Sequence, residues 1–325
     1  MMVGGGRVDT KALMEGVAGS VAFDVPAAPF TSYHLGGPVA AWVEPRDVED
    51  LCHLLGRLKG TGVRVLPLGG GSNVLFADAG FDGVVLRLGR SFQGVEVQGT
   101  RLRVKAATPL QVFLRRATEA GLGPFEFCAG IPGQVGGAVV GNAGGGKAWI
   151  GERVESVTVV GADGSTREIP AERLEFEYRH SSLQDSLAMV VEATFRGDRM
   201  PHSELEKRNN DYLKARQAKQ PHAERSAGSV FRNPEGDAAG RVIEFVGLKG
   251  LKVGGARVSD RHANFIVSDS GTASDVAEVM REVQRRVRES VGVRLKPEIL
   301  PVGDWDWSKV GEIWWHREGP HVFRA

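Results

Sequence analysis

Glycine constrains this chain more than any other residue: 44 of its 325 positions are glycine, and many of them are clustered. Two clusters stand out. Gly69, Gly70, Gly71, Ser72 and Asn73 directly follow an apolar run, and residues 128–146 carry no charge and hold eight glycines. Glycine loses more conformational freedom on folding than any other residue, so three in a row are costly unless the backbone must turn sharply or approach something closely. In the first cluster, successive bare N–H groups can point into one concavity, a nest that binds phosphate oxygens without a basic side chain. A turn that merely joins two strands is the simpler alternative. In the second, Gly133, Gly136 and Gly137 let a helix start press against a flat or phosphorylated ligand, or equally let two elements pack closely. Two such loops in separate units point to one extended ligand lying across their junction.

Several other readings are excluded. Lys plus Arg (41) nearly balance Asp plus Glu (40), so no chain-wide field draws the chain to nucleic acid or an acidic membrane. The uncharged stretch 128–146 is too polar and too broken for a transmembrane helix. Cys52 and Cys128 are far apart with no Cys-x-x-Cys partner, which argues against a zinc site or disulfide framework and for the cytoplasm. Residues 1–9 have no apolar stretch of signal-peptide length. The eight histidines form no His-x-x-x-His pair, so no metal is expected. His262, opening a strand-like run, reads first as a satisfied structural residue. No Gly-x-Gly-x-x-Gly occurs, and a near match to the Walker A pattern ends on Ala148, where magnesium needs Ser or Thr.

Hydrophobic periodicity and the length prior divide the chain into about three units. The first, 15–90, has a helix over 46–58 ended by Gly60, a strand over 64–68 that empties into the first glycine cluster, and a strand over 84–88. The second, 91–202, opens with a hairpin: Val95 and Val97, a turn at Gly99, then Leu102 and Val104. Thr108 and Pro109 read as cap and first position of a helix closed by Gly121. Strands follow near 154–160 and 188–195, with Asp163 and Gly164 turning between them. Residues 203–220 are strongly charged and read as a solvated linker helix. The third unit, 221–302, is a smaller α+β block. Its clearest element is a helix over 274–291 with Val276, Val279, Met280, Val283, Val287 and Val291 on one face, Thr272 and Asp275 as a capping pair, and Gly292 as its stop. The extension 303–325 holds four of the six tryptophans. It reads as an apron over the third unit, with a protein-partner or self-association surface as the alternative.

Eight ordered motifs then carry a family resemblance over about residues 30–303. They are Thr31-Ser-Tyr-His-Leu-Gly-Gly37, Pro67-Leu-Gly-Gly-Gly-Ser-Asn73, Phe125 through Gly137, Tyr178-Arg-His-Ser181, Gly228-Ser-Val-Phe-Arg-Asn-Pro234, Gly247-Leu-Lys-Gly250, His262-Ala-Asn-Phe265 and Leu295-Lys-Pro-Glu298. The chain resembles the UDP-N-acetylenolpyruvoylglucosamine reductases, in the shorter type without a tyrosine-loop insertion. The resemblance implies an α+β chain: a two-subdomain FAD-binding fold of the vanillyl-alcohol-oxidase (PCMH) type plus a smaller C-terminal substrate domain. It implies FAD and NADPH as cofactors, and reduction of the enolpyruvyl ether of a UDP-sugar on the way to peptidoglycan. FAD would be held by Gly69, Gly70, Gly71, Ser72, Asn73, Ile131, Pro132, Gly133, Val135, Gly136 and Gly137. Carried over motif by motif, Ser229 is the proton donor, Arg179 the electrostatic stabiliser, and Glu298 the assistant of the enolic intermediate. Arg232, Asn233 and His262 would contact substrate.

Read by residue type alone, Ser229 is a turn serine, Arg179 an ion-pair partner for Glu175 or Glu177, and Glu298 an exposed carboxylate. Arg232 stands where the family generally has lysine, so a planar fork replaces a point charge. Residues 142–148 lack the family's usual tyrosine. Two alternatives keep the nucleotide site: a flavin-dependent oxidase or dehydrogenase acting on an alcohol or hydroxy acid, and a binding protein without turnover.

Overall fold

The computed structural model describes residues 10–145, 148–186, 188–221 and 224–306, and the backbone of 323–324. In the first unit, β1 (Ser20–Pro26) and β2 (Pro38–Glu44) precede the helix α1 (Val48–Leu58), followed by β3 (Arg64–Leu68), β4 (Val74–Phe76) and β5 (Phe81–Arg87). α1 starts where Asp47 accepts from the Asp50 N–H, and Leu51, Leu54, Leu55 and Leu58 bury its inner face. β2, β5 and β3 run parallel with β1 antiparallel at one edge. Both faces of this sheet are covered, as parallel sheets require. Ala41, Val43, Val65, Val84 and Leu86 face a core shared with the second unit, whereas Val39, Trp42, Leu66, Leu68 and Val85 face the other way.

The second unit is an antiparallel sheet in the order β9-β8-β10-β7-β6, from β6 (Val95–Gln98), β7 (Arg101–Lys105), β8 (Val154–Gly161), β9 (Thr166–Pro170) and β10 (Ala188–Arg196). Two helices precede β8: α2 (Leu110–Glu119) and the six-residue α3 (Val135–Val140). Thr108 does not cap α2. Pro109 occupies the cap position without a side-chain bond, and the Thr108 hydroxyl instead bonds the main chain of Gly94, closing the bend that leads into β6.

α4 (His202–Lys219) carries the chain to the third unit. There α5 (Ala239–Phe245) precedes the antiparallel meander β11 (Lys252–Val253), β12 (Ala256–Val258) and β13 (Ile266–Ser268). The helix α6 (Ala273–Val291) packs on it through Val276, Val279, Met280, Val283 and Val287, each worth about 1.5–3 kcal/mol on full burial, whereas Val291, expected on the same face, is exposed in the last turn beyond the core. Its capping box of Thr272 and Asp275 forms, and Gly292 ends it at φ +72°. A second cap comes from the first unit: Asp78 accepts from the Ala273 and Ser274 N–H groups and from the Ser274 hydroxyl.

The chain then returns. β14 (Leu300–Val302) pairs in parallel with β4, and β15 (Phe323–Arg324) adds antiparallel to β3. The extension expected to lie over the third unit is therefore divided: Trp305 packs against that unit's core, while the Asp304 N–H bonds Gly80 and β15 joins the first sheet. Trp307, Trp314 and Trp315 lie outside the described residues.

Candidate active site

The two glycine loops meet edge to edge. A Cβ on Gly70 would stand 3.1 Å from the Gly133 Cα, and the Ser72 hydroxyl donates to the Pro132 carbonyl at 3.2 Å. Individual glycines serve different ends. Gly71 sits at φ +63° with its would-be Cβ 2.0 Å from the Phe30 carbonyl oxygen, so it fixes the loop against its own unit. Gly136 faces Ala106, where a Cβ would come within 2.9 Å, so it serves the packing of α3 on the strand side. Gly137, by contrast, faces open space. Among the described residues, nothing accepts a hydrogen bond from the N–H groups of Gly70, Gly71, Ser72 or Asn73. Bare donors beside an uncovered glycine face suit a pyrophosphate and a flat ring, and that is the fit a flavin dinucleotide needs.

The Asn73 side chain points elsewhere, toward the third unit. Its amide donates to the Glu298 carbonyl at 3.1 Å, and the Asn73 main-chain carbonyl accepts from the Leu300 N–H. Residues 296–298 also lie antiparallel to 230–232, with the Glu298 N–H on the Val230 carbonyl at 2.7 Å and the Arg232 N–H on Lys296 at 2.8 Å. Buried Asn264 braces this ladder through both the N–H and the carbonyl of Phe231. Ser229 begins the ladder half-buried, after Gly228 at φ +80°, and its hydroxyl has no described partner.

Arg179 reaches Glu298 from the second unit. It stands at the tip of a short hairpin (Phe176–Glu177 with His180–Ser181) at φ +57°. Its Nε donates to Glu298 Oε1 at 2.6 Å, and neither Glu175 nor Glu177 is its partner. Glu298 is mostly covered rather than exposed, its side chain 15% accessible. Burial raises its pKa above the ordinary carboxylate value, while Arg179 and then Arg232 oppose the rise. Two guanidinium nitrogens, Arg179 Nη1 and Arg232 Nε, are buried with no described partner. A third cation, Arg216, comes from α4. Burial lowers its pKa and the nearby Arg179 lowers it further. It lies against Gly130 and Gly145, where Cβ atoms would come within 3.0 Å of its side chain. Arg179 and Arg232 around one carboxylate leave positive charge in excess, which an anionic ligand would balance.

The remaining expected residues are farther into the third unit's scaffold. The Asn233 N–H donates to the Tyr178 hydroxyl at 3.3 Å, and its side-chain oxygen caps α5 by accepting from Ala239. His262 Nδ1 accepts from the Asn264 N–H at 3.2 Å and its ring stands edge-on to Phe265. Burial lowers its pKa, with Lys249 and Lys219 adding to the effect, which favours the neutral imidazole. Arg216 and Asn264 were not legible as site residues: Arg216 lies in a helix charged all round, and Asn264 is one amide among many. No group of three or more His, Cys, Asp or Glu suited to a metal occurs among the described residues. None of their helices is long and apolar enough to cross a membrane.

Comparison with known proteins gives two family matches. An FAD binding domain matches residues 39–170, and the UDP-N-acetylenolpyruvoylglucosamine reductase C-terminal domain matches residues 220–302. The chain is 40% identical over 304 residues to the UDP-N-acetylenolpyruvoylglucosamine reductase of Acidiphilium cryptum, covering 93% of this chain and 98% of that one. It is 38% identical over 288 residues to the enzyme of that name from Caulobacter vibrioides, covering 88% and 95%. The crystal structure of the Thermus caldophilus enzyme superposes with a TM-score of 0.75 at 34% identity, covering 87% of this chain and 98% of that one. The α+β class expected from sequence, an FAD-binding region followed by a smaller C-terminal domain, agrees with these matches.

Proposed function

The chain belongs to the UDP-N-acetylenolpyruvoylglucosamine reductase family, and from that premise we propose that it reduces the enolpyruvyl ether of UDP-N-acetylglucosamine to UDP-N-acetylmuramate, a peptidoglycan precursor, using NADPH in the cytoplasm. The observation that carries this reading is the part-buried Arg179–Glu298 pair, with Arg179 Nη1 and Arg232 Nε left over for a second carboxylate and Ser229 next in sequence to Val230, whose carbonyl holds the Glu298 N–H. FAD, bound by Gly69 to Asn73 and by Ile131, Pro132, Gly133, Val135, Gly136 and Gly137, would supply a carrier that accepts hydride from NADPH and yields it to the enolpyruvyl double bond.

The chain's own groups complete the addition. An enol ether accepts hydride poorly unless its carboxylate can absorb the charge that develops, so a cation beside that carboxylate lowers the barrier. Arg179 and Arg232 have that role. Glu298, with its pKa raised by burial, assists the enolic species. The Ser229 hydroxyl then gives its proton to the carbon next to the one that received hydride, so one hydride and one proton add across the bond. A serine hydroxyl is a weak acid at neutral pH, and the surplus positive charge nearby stabilises the alkoxide it leaves. The Asn233 main chain and His262 border the sugar nucleotide.

An anaerobic spectrum of the purified protein tests this. NADPH should bleach the flavin, and the enolpyruvyl sugar nucleotide should restore its colour. Ser229→Ala should keep the first step and slow the second by about 10²–10⁴. Equal damage to both steps would refute the role of Ser229. Prompt recolouring by oxygen, with none by the sugar nucleotide, would instead favour an oxidase of the same fold.

A further inference from the structure

Trp149 is an aromatic residue of the site that this mechanism leaves unused. It ends the short strand Ala148–Trp149, which pairs with Gly144–Gly145, and its ring stands edge-on to Tyr178 at 5.5 Å. The Arg179 guanidinium carbon lies 5.6 Å from the Trp149 ring centroid and 5.3 Å from that of Tyr178. Both lie within the range over which a cation is drawn to an aromatic face. Room for the indole is built in, because a Cβ on Gly144 would come within 2.8 Å of Trp149 Cε3.

Holding the two hairpins together does not require this ring. Asn142 already joins them, donating to the Glu177 carbonyl at 2.7 Å and accepting from the Gly151 N–H at 3.0 Å. Ser181 and Gln184 add bonds to the Val140 carbonyl. The orientation of Arg179, on the other hand, is under-determined without it. Glu298 holds Nε, Arg216 repels the charge, and Nη1 has no described partner. A guanidinium gripped at one nitrogen can pivot about that bond, and an aromatic face lying over it removes that freedom.

We propose that Trp149 is a positioning residue which, with Tyr178, fixes the plane of the Arg179 guanidinium so that its free edge meets the substrate carboxylate. The inference rests on the substrate assigned above.

Its test is calorimetric titration of the full, FAD-loaded chain without NADPH. Two ligands are compared: the enolpyruvyl sugar nucleotide, and UDP-N-acetylglucosamine, which lacks the carboxylate. Trp149→Ala should weaken the first about tenfold and change the second by less than about twofold, and Trp149→Phe should restore most of the loss. A general disturbance of the hairpins would weaken both ligands alike, and that result overturns the proposal, as does an unchanged Trp149→Ala or a failure of Phe to rescue. If the wild-type chain binds neither sugar nucleotide, the substrate reading itself falls and this inference with it, a result distinct from any the variants give.

Discussion

Replacing Arg179 by methionine should produce a stability loss whose size depends on pH. The Glu298 side chain is only 15% exposed, and the substitution removes its one hydrogen-bonded counter-charge, leaving Arg232 at longer range. Breaking a buried pair from one side typically costs about 3–5 kcal/mol. The loss has a ceiling, however, because the carboxylate can take up a proton instead. With an ordinary glutamate value of about 4.3 and about 1.36 kcal/mol per pH unit, protonation costs about 3.7 kcal/mol at pH 7 and about 1.6 kcal/mol at pH 5.5. The folded variant then holds a proton that the unfolded chain does not. Its stability therefore falls as pH rises from the unfolded value toward the raised folded one. Burial raises Glu298 in the paired state too, so wild type shares part of this slope and the difference is what matters. Urea denaturation of both proteins at the two pH values should show a smaller deficit at pH 5.5, by at most about 2 kcal/mol less the slope that wild type shares. An equal deficit at both, or a larger one in acid, would refute the picture of Glu298 as a mostly covered carboxylate whose charged form Arg179 favours.

The neighbouring glycines of α3 should respond in opposite ways. Gly136→Ala meets Ala106 and should destabilise the flavin-free protein by about 1–3 kcal/mol. Gly137→Ala meets no protein atom and should stabilise it by about 0.5–1 kcal/mol in urea titrations. The same Gly137→Ala change should weaken flavin binding, read by fluorescence quenching, by about tenfold or more. Asp78→Ala removes the carboxylate that crosses from the first unit to the start of α6, and should cost about 1–2 kcal/mol in urea denaturation. A loss below about 0.3 kcal/mol would mean that Thr272 caps that helix unaided.

What could be read directly from the sequence was local in origin. Thr272, Asp275 and Gly292 bracket α6 because each acts on backbone within a turn of itself. The hairpin around Gly99 was legible for the same reason. Thr108 misled because its hydroxyl had a competitor for the helix end, the Gly94 main chain fourteen residues upstream. The resemblance singled out Arg179, Ser229 and Glu298, yet the Arg179–Glu298 bond joins residues 119 apart, and no periodicity reports such a contact. Arg216 was hidden by its helix. α4 is charged all round and has no apolar stripe, so nothing in its periodicity marks Arg216 as turned inward against Gly130 and Gly145. The glycine clusters announced a ligand without telling apart Gly136, which makes room for Ala106, and Gly137, which makes room for something else.

The bond from Asn73 to Glu298, with β14 lying along β4, also bears on how the protein is made. A ribosome releases residue 73 early, while its hydrogen-bonding companion is still 225 codons from being translated. The nascent first unit can fold its sheet, but it must wait for almost the entire polypeptide to emerge before the glycine loop acquires its final neighbour. The glycine loop therefore gains its last hydrogen-bonded neighbour only near the close of synthesis, and a product cut short ahead of residue 298 would lack the strand that steadies it.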